Sequence, residues 1–238
     1  MNPQKSLRRI STEKVKVSTE KVAYWFFRLN GCLTIVNFIV HPDLVRRDEP
    51  HSQRTDVDIL AVRFPHRCEL FTSGQPMRDH EVFDSVGLID IVIAEVKRGR
   101  CNLNGPWTRR PDQNMHRVLY AIGAFSECRV PEVAESLYSD GYYADDMFRV
   151  RLFAIGSERN DRLLPKVVQL TWDEILEFIY VRLTEYREHK AQHEQWDSVG
   201  KYLYCLSEKS LSANEFVKTV KAAMGIMREQ DRIPTDQP

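Results

Sequence analysis

Asp90-Ile91-Val92-Ile93-Ala94-Glu95-Val96-Lys97-Arg98-Gly99-Arg100 is the stretch on which the fold turns. Ile91 to Ala94 form an unbroken apolar run rich in β-branched residues, the composition of a strand buried on both faces. A carboxylate and an ammonium, Glu95 and Lys97, then stand at its end before Arg98-Gly99-Arg100 leaves the sheet. Two residues apart on a strand, they project from the same face. A charge at the rim of a buried strand is costly unless it is paired, metal-bound or open to a ligand. An ion pair capping an exposed strand end is the plain structural alternative.

A second strand brings further acids. Thr55-Asp56-Val57-Asp58-Ile59-Leu60-Ala61-Val62-Arg63-Phe64 carries its carboxylates at the start and apolar residues behind them. An antiparallel hairpin with residues 89–97 sets the beginning of one strand beside the end of the other. Neighbouring strands lie about 4.8 Å apart, so Asp58 and Glu95 would fall within reach of one metal ion. Their side chains share a face only if Asp58 pairs with residue 95 or 97, not with 96.

With Asp58 as the first acid and Glu95-Val96-Lys97 as an E-x-K, the chain resembles the PD-(D/E)XK nuclease superfamily. The resemblance covers residues 18–155 in the order helix, three strands, helix, strand. It departs from the pattern at Val57, which stands where a proline often precedes the first acid, and in the long spacer 65–88. The resemblance implies an α/β fold: a restriction-endonuclease-like core (helix, three-strand antiparallel hairpins, helix, strand) with appended C-terminal helices. It also implies Mg²⁺ or Mn²⁺ held by Asp58, Glu95 and the Val96 carbonyl, with Lys97 orienting water and stabilising the transition state. In several branches a Glu on the first helix joins the site, and Glu20 is the matching residue. An acid in a first helical turn is favoured by the helix dipole in any case. The recombination-exonuclease branch carries Gln-x-x-x-Tyr on the following helix, where this chain has Gln113 and Tyr120, off that spacing.

The 238 residues suit a core of about 150–200 residues with added helices. The division expected is a flexible arm over 1–17, a core over 18–170, a helical extension over 171–230 packed on that core, and a frayed tail over 231–238. Hydrophobic residues at 42% and charged residues at 29% fit a soluble globular protein. Basic and acidic residues number 34 each, so no global positive field announces nucleic acid, and any basic groove must be local. The five cysteines (32, 68, 101, 128 and 205) include no C-x-x-C, which argues against zinc and iron–sulfur sites and for reduced cytosolic thiols. Without an apolar signal core or a membrane-length stretch, a cytoplasmic protein with no membrane partner is expected.

Along the chain, Ser18 caps a helix with the stripe Val22, Trp25, Phe26 and Leu29, closed by Asn30-Gly31. Residues 33–40 read as a strand, and a polar loop from His41 to Arg54 runs near the acids, where it would flank a substrate. Asp79, His80 and Asp84 read as solvated loop polars, since no spacing ties them into a metal site. Beyond the E-x-K, Arg98, Arg100, Arg109 and Arg110 interleave with Trp107, a composition suited to phosphate contact and base stacking. Together with Arg54 these are the candidate nucleic-acid-binding residues; a solvated basic loop is the alternative. Helices are predicted over 111–125, 171–189, 195–206 and 212–228, with strands over 148–155 and 166–170. The apolar stripes of the last three helices suit a core or an association surface, for a homo-oligomer or a partner protein.

Two functional readings follow. The first is a Mg²⁺- or Mn²⁺-dependent endonuclease acting on nucleic acid, DNA in the first instance, in phage defence, restriction or repair. The second keeps the fold but makes the chain a non-catalytic nucleic-acid-binding or assembly subunit. A binding module has no need of an acid–acid–lysine set, which favours the first.

Overall fold

The computed structural model describes residues 17–41, 55–70, 77–84, 87–191 and 196–226. Arg54 and its loop, residues 1–16 of the expected arm and the tail from 231 lie outside these; Val17, the arm's last residue, is buried.

Helix α1 (Thr19–Leu29) starts where the Ser18 hydroxyl accepts the Lys21 N–H at 3.2 Å, with Glu20 in the positive first turn. Its stripe Val22, Trp25, Phe26 and Leu29 is buried. It ends at Asn30, and Gly31 takes φ 74°, which lets the chain reverse into the sheet. Strands β1 (Leu33–Val40), β2 (Thr55–Arg63) and β3 (Ile89–Val96) follow, each antiparallel to its neighbour. The chain then crosses one face through α2 (Gly105–Thr108), α3 (Asn114–Ile122) and α4 (Val130–Asp140). It returns by the short β4 (Tyr142–Ala144) into β5 (Phe148–Gly156), which runs parallel to β3, as a long crossover permits. The sheet order is β1-β2-β3-β5-β4, with β6 (Val168–Thr171) pairing in parallel along the remainder of β5. Helices α5 (Trp172–Glu185), α6 (Arg187–Lys190), α7 (Ser198–Lys209) and α8 (Ala213–Ala223) complete an α/β fold on a mixed six-stranded sheet.

Two hydrophobic clusters cover the two faces of the sheet. One joins Phe26 and Phe27 of α1 to Val92, Ala94 and Phe153 of the sheet, and to Trp172, Ile175, Leu176, Leu203 and Phe216 of the C-terminal helices. The other joins Leu60, Ile91 and Ile93 to Trp107, Met115, Leu119, Val133 and Leu137 of the crossover helices. From Ile91 to Val96 the apolar residues of β3 alternate between the two, which is why its sequence reads as apolar throughout.

Some elements differ from the sequence reading. The helix expected over 111–125 begins later: residues 110–112 form a 3-10 turn, Gln113 is left-handed at φ 50°, and α3 starts at Asn114. Helix α4 and strand β4 have no counterpart in that reading. The signal for α4 lies in Val130, Val133, Ala134 and Leu137 at helical spacing, with Pro131 in the first turn and Gly141 at the end. The helix expected over 171–189 breaks at Tyr186 into α5 and α6.

The hairpin β1–β2 changes faces midway. Val36 and Ile59, paired with each other, pack on the first cluster, whereas Phe38 and Val57, also paired, pack on the second. A regular strand would keep residues two apart on one face. The switch falls at Asn37, left-handed at φ 54°, whose place in the register is opposite Asp58. Asn is among the few side chains that tolerate this conformation.

Candidate active site

The β2–β3 register runs from Arg63↔Asp90 to Ile59↔Ala94, and one further step sets Asp58 opposite Glu95. There the ladder gives way to a side chain: the Val96 N–H donates to Asp58 Oδ2 at 2.8 Å. The face switch at Asn37 and Asp58 thus delivers a carboxylate onto the end of β3. Because N–H and C=O of one strand residue point the same way, the Val96 carbonyl is directed toward the Asp58 side as well.

Glu95 is buried, and its carboxylate accepts three hydrogen bonds. Lys97 Nζ donates to Oε1 at 2.5 Å, Asn104 Nδ2 donates to the same oxygen, and Trp107 Nε1 donates to Oε2 at 2.6 Å. Lys97 is partly exposed, and its backbone is fixed on both sides. Its N–H donates to the Ile155 carbonyl at 2.8 Å, and its carbonyl accepts from Trp172 Nε1 at 2.9 Å. The strand end is held further by the Ser157 N–H on the Gly99 carbonyl at 2.6 Å. Gly156 allows that approach, since a Cβ there would stand 2.4 Å from the Gly99 oxygen.

Burial pushes the Asp58 carboxyl up to about 6. The Val96 N–H opposes this, the negative charge of Glu95 adds to it, Lys97 opposes, and Glu20 adds again. Glu20, half-buried in the first turn of α1 and accepting from Thr19 Oγ1 at 3.2 Å, is therefore brought within electrostatic range of Asp58. Among the described residues, no group of three or more His, Cys, Asp or Glu forms a candidate metal cage.

The basic residues singled out from sequence lie at the surface where they are described. Arg98 is exposed beside Gly225. Arg100 faces Glu158 at 3.7 Å, Arg109 faces Asp112 at 3.4 Å, and Arg110 faces Glu135 at 3.0 Å. Each of these three therefore already has an acidic neighbour. Trp107 corrects the sequence reading: it is buried, with its indole committed to Glu95, and offers no face for base stacking.

Two buried ionic centres escape the sequence reading. Asp79, expected to be a solvated loop residue, accepts from Arg63 at 2.8 Å and from Arg67 and Arg182, and is largely buried. Asp90 accepts from Arg149 Nη2 at 2.8 Å and Arg151 Nε at 3.0 Å. His80 is held below its ordinary pKa by burial, packed against Phe26 and Phe178, and is no solvated loop residue either. The signal for these centres is the presence of arginines within otherwise apolar strands and helices, which demands a buried counter-charge.

Comparison of the chain with protein-family models, with curated proteins and with solved structures gives no match. No helix among the described residues is long and apolar enough to cross a membrane.

Proposed function

We propose that the chain is a metal-dependent nuclease of the PD-(D/E)XK type that hydrolyses phosphodiester bonds, in DNA in the first instance. The observation that carries this reading is the Asp58 carboxylate bound to the Val96 N–H, on the strand end that bears Glu95 and Lys97. The order helix, three antiparallel strands, crossover helices and parallel strand supports a restriction-endonuclease-like core.

The residues present fit a hard divalent ion. Asp58 is a half-buried carboxylate whose ionisation is resisted by burial and by two nearby acids, a cost that a cation relieves. Asp58, Glu95 and the Val96 carbonyl would hold Mg²⁺ or Mn²⁺. Such an ion supplies Lewis-acid stabilisation and acidifies its bound water. Lys97, anchored through its backbone with its ammonium partly exposed, supplies a compact positive charge for a phosphate oxygen or a water.

The three donors on Glu95 favour a second reading, in which the Glu95–Lys97 pair is structural and the chain is a non-catalytic nucleic-acid-binding or assembly subunit. Incubating the full chain with supercoiled plasmid and Mg²⁺ or Mn²⁺, with and without EDTA, separates the two. Nicked or linear product formed only with free metal supports the nuclease; tight DNA binding with no cleavage of DNA or RNA supports the subunit.

A further inference from the structure

We infer that Trp107 and Asn104 are positioning residues that hold the Glu95 carboxylate for its task at the end of β3. This inference rests on the nuclease reading above. Both side chains come from one local device. Asn104 occupies the N-cap position of the single-turn helix α2, yet its side chain makes no capping hydrogen bond. Its amide is directed to Glu95 Oε1 instead. Three residues on, Trp107 is buried in the cluster on this face of the sheet and directs its one donor to Glu95 Oε2.

The arrangement separates two duties. Lys97 and Asn104 share Oε1, while Trp107 bonds Oε2. If Lys97 swings away toward a phosphate, Glu95 keeps a donor on each oxygen and stays in place. A buried carboxylate with Lys97 as its only partner would lose its sole compensation in that movement. Groups that orient a ligating carboxylate in this way typically change metal affinity or activity by about 10–100-fold when removed.

The test uses the full-length chain carrying Trp107→Phe, which keeps a ring but removes the donor, and Asn104→Ala, at an exposed position. Mn²⁺ binding is measured by titration calorimetry without DNA, and kcat and KM with supercoiled plasmid. The expected result is Mn²⁺ affinity or kcat lowered about 10–100-fold in each variant, with KM unchanged and circular dichroism as in wild type. Should Trp107→Phe fail to fold, Asn104→Ala alone decides. Variants that melt earlier but keep wild-type Mn²⁺ affinity and kcat overturn the inference and leave the nuclease reading intact. A wild type that neither binds Mn²⁺ nor cleaves overturns both.

Discussion

Replacing Asp58 by Asn tests the electrostatics of the site directly. The Asp58 carboxyl rises from its ordinary 3.8 to about 6, first because of burial, with Glu95 and Glu20 adding to it. At about 1.4 kcal/mol per pKa unit, a shift of about 2 units corresponds to roughly 3 kcal/mol. Asp58 is only half-buried, and solvent screening reduces this to about 1–2 kcal/mol. The folded state holds the proton more tightly than the unfolded state does. Stability from this group is therefore fully present below pH 3.8 and is lost as pH rises through about 6. Asn keeps the shape and an oxygen that can accept the Val96 N–H, but it does not ionise. In EDTA at a pH of about 7.5, Asp58→Asn should accordingly be more stable than wild type by about 1–2 kcal/mol, a rise in Tm of roughly 2–8 °C. The advantage should shrink toward a pH of about 4, and Mn²⁺ should raise the wild-type Tm much more than that of the variant. Calorimetric melts across this pH range measure the effect. A variant less stable than wild type at the upper pH in EDTA, or an advantage independent of pH, would refute the reasoning.

Lys97→Ala should lower metal-dependent plasmid cleavage by orders of magnitude while changing DNA affinity little, read by initial rates and by gel shift. Asp90→Ala leaves Arg149 and Arg151 without their shared carboxylate inside the sheet, and should cost about 3–5 kcal/mol in urea unfolding. Arg109→Ala with Arg110→Ala should weaken DNA binding and flatten its salt dependence by about 0.9 per lost phosphate contact; an unchanged slope would exclude these arginines from the interface.

The strands that frame the site are legible in the chain alone. The apolar run 91–94 and the acid-first segment 55–63 each carry a pattern that a buried strand satisfies, and their hairpin pairing follows from their matched lengths. The cap at Ser18 is local chemistry, formed by the side chain expected to form it, and the Thr171 and Ser212 hydroxyls cap α5 and α8 in the same way. What those strands present is settled only in three dimensions. The face switch at Asn37 depends on a left-handed residue in a facing strand, and no periodicity within β2 encodes it. The commitment of Trp107 to Glu95 likewise arises only when α2 folds back over the sheet. A tryptophan among arginines has the same composition whether its ring meets a base or a buried carboxylate. Asp79 makes the same point: it reads as solvated until Arg63 and Arg182 are packed against it, because the energy that holds it there is the cost of burying those charges unpaired, and the Asp90 pairing with Arg149 and Arg151 is likewise made only in three dimensions.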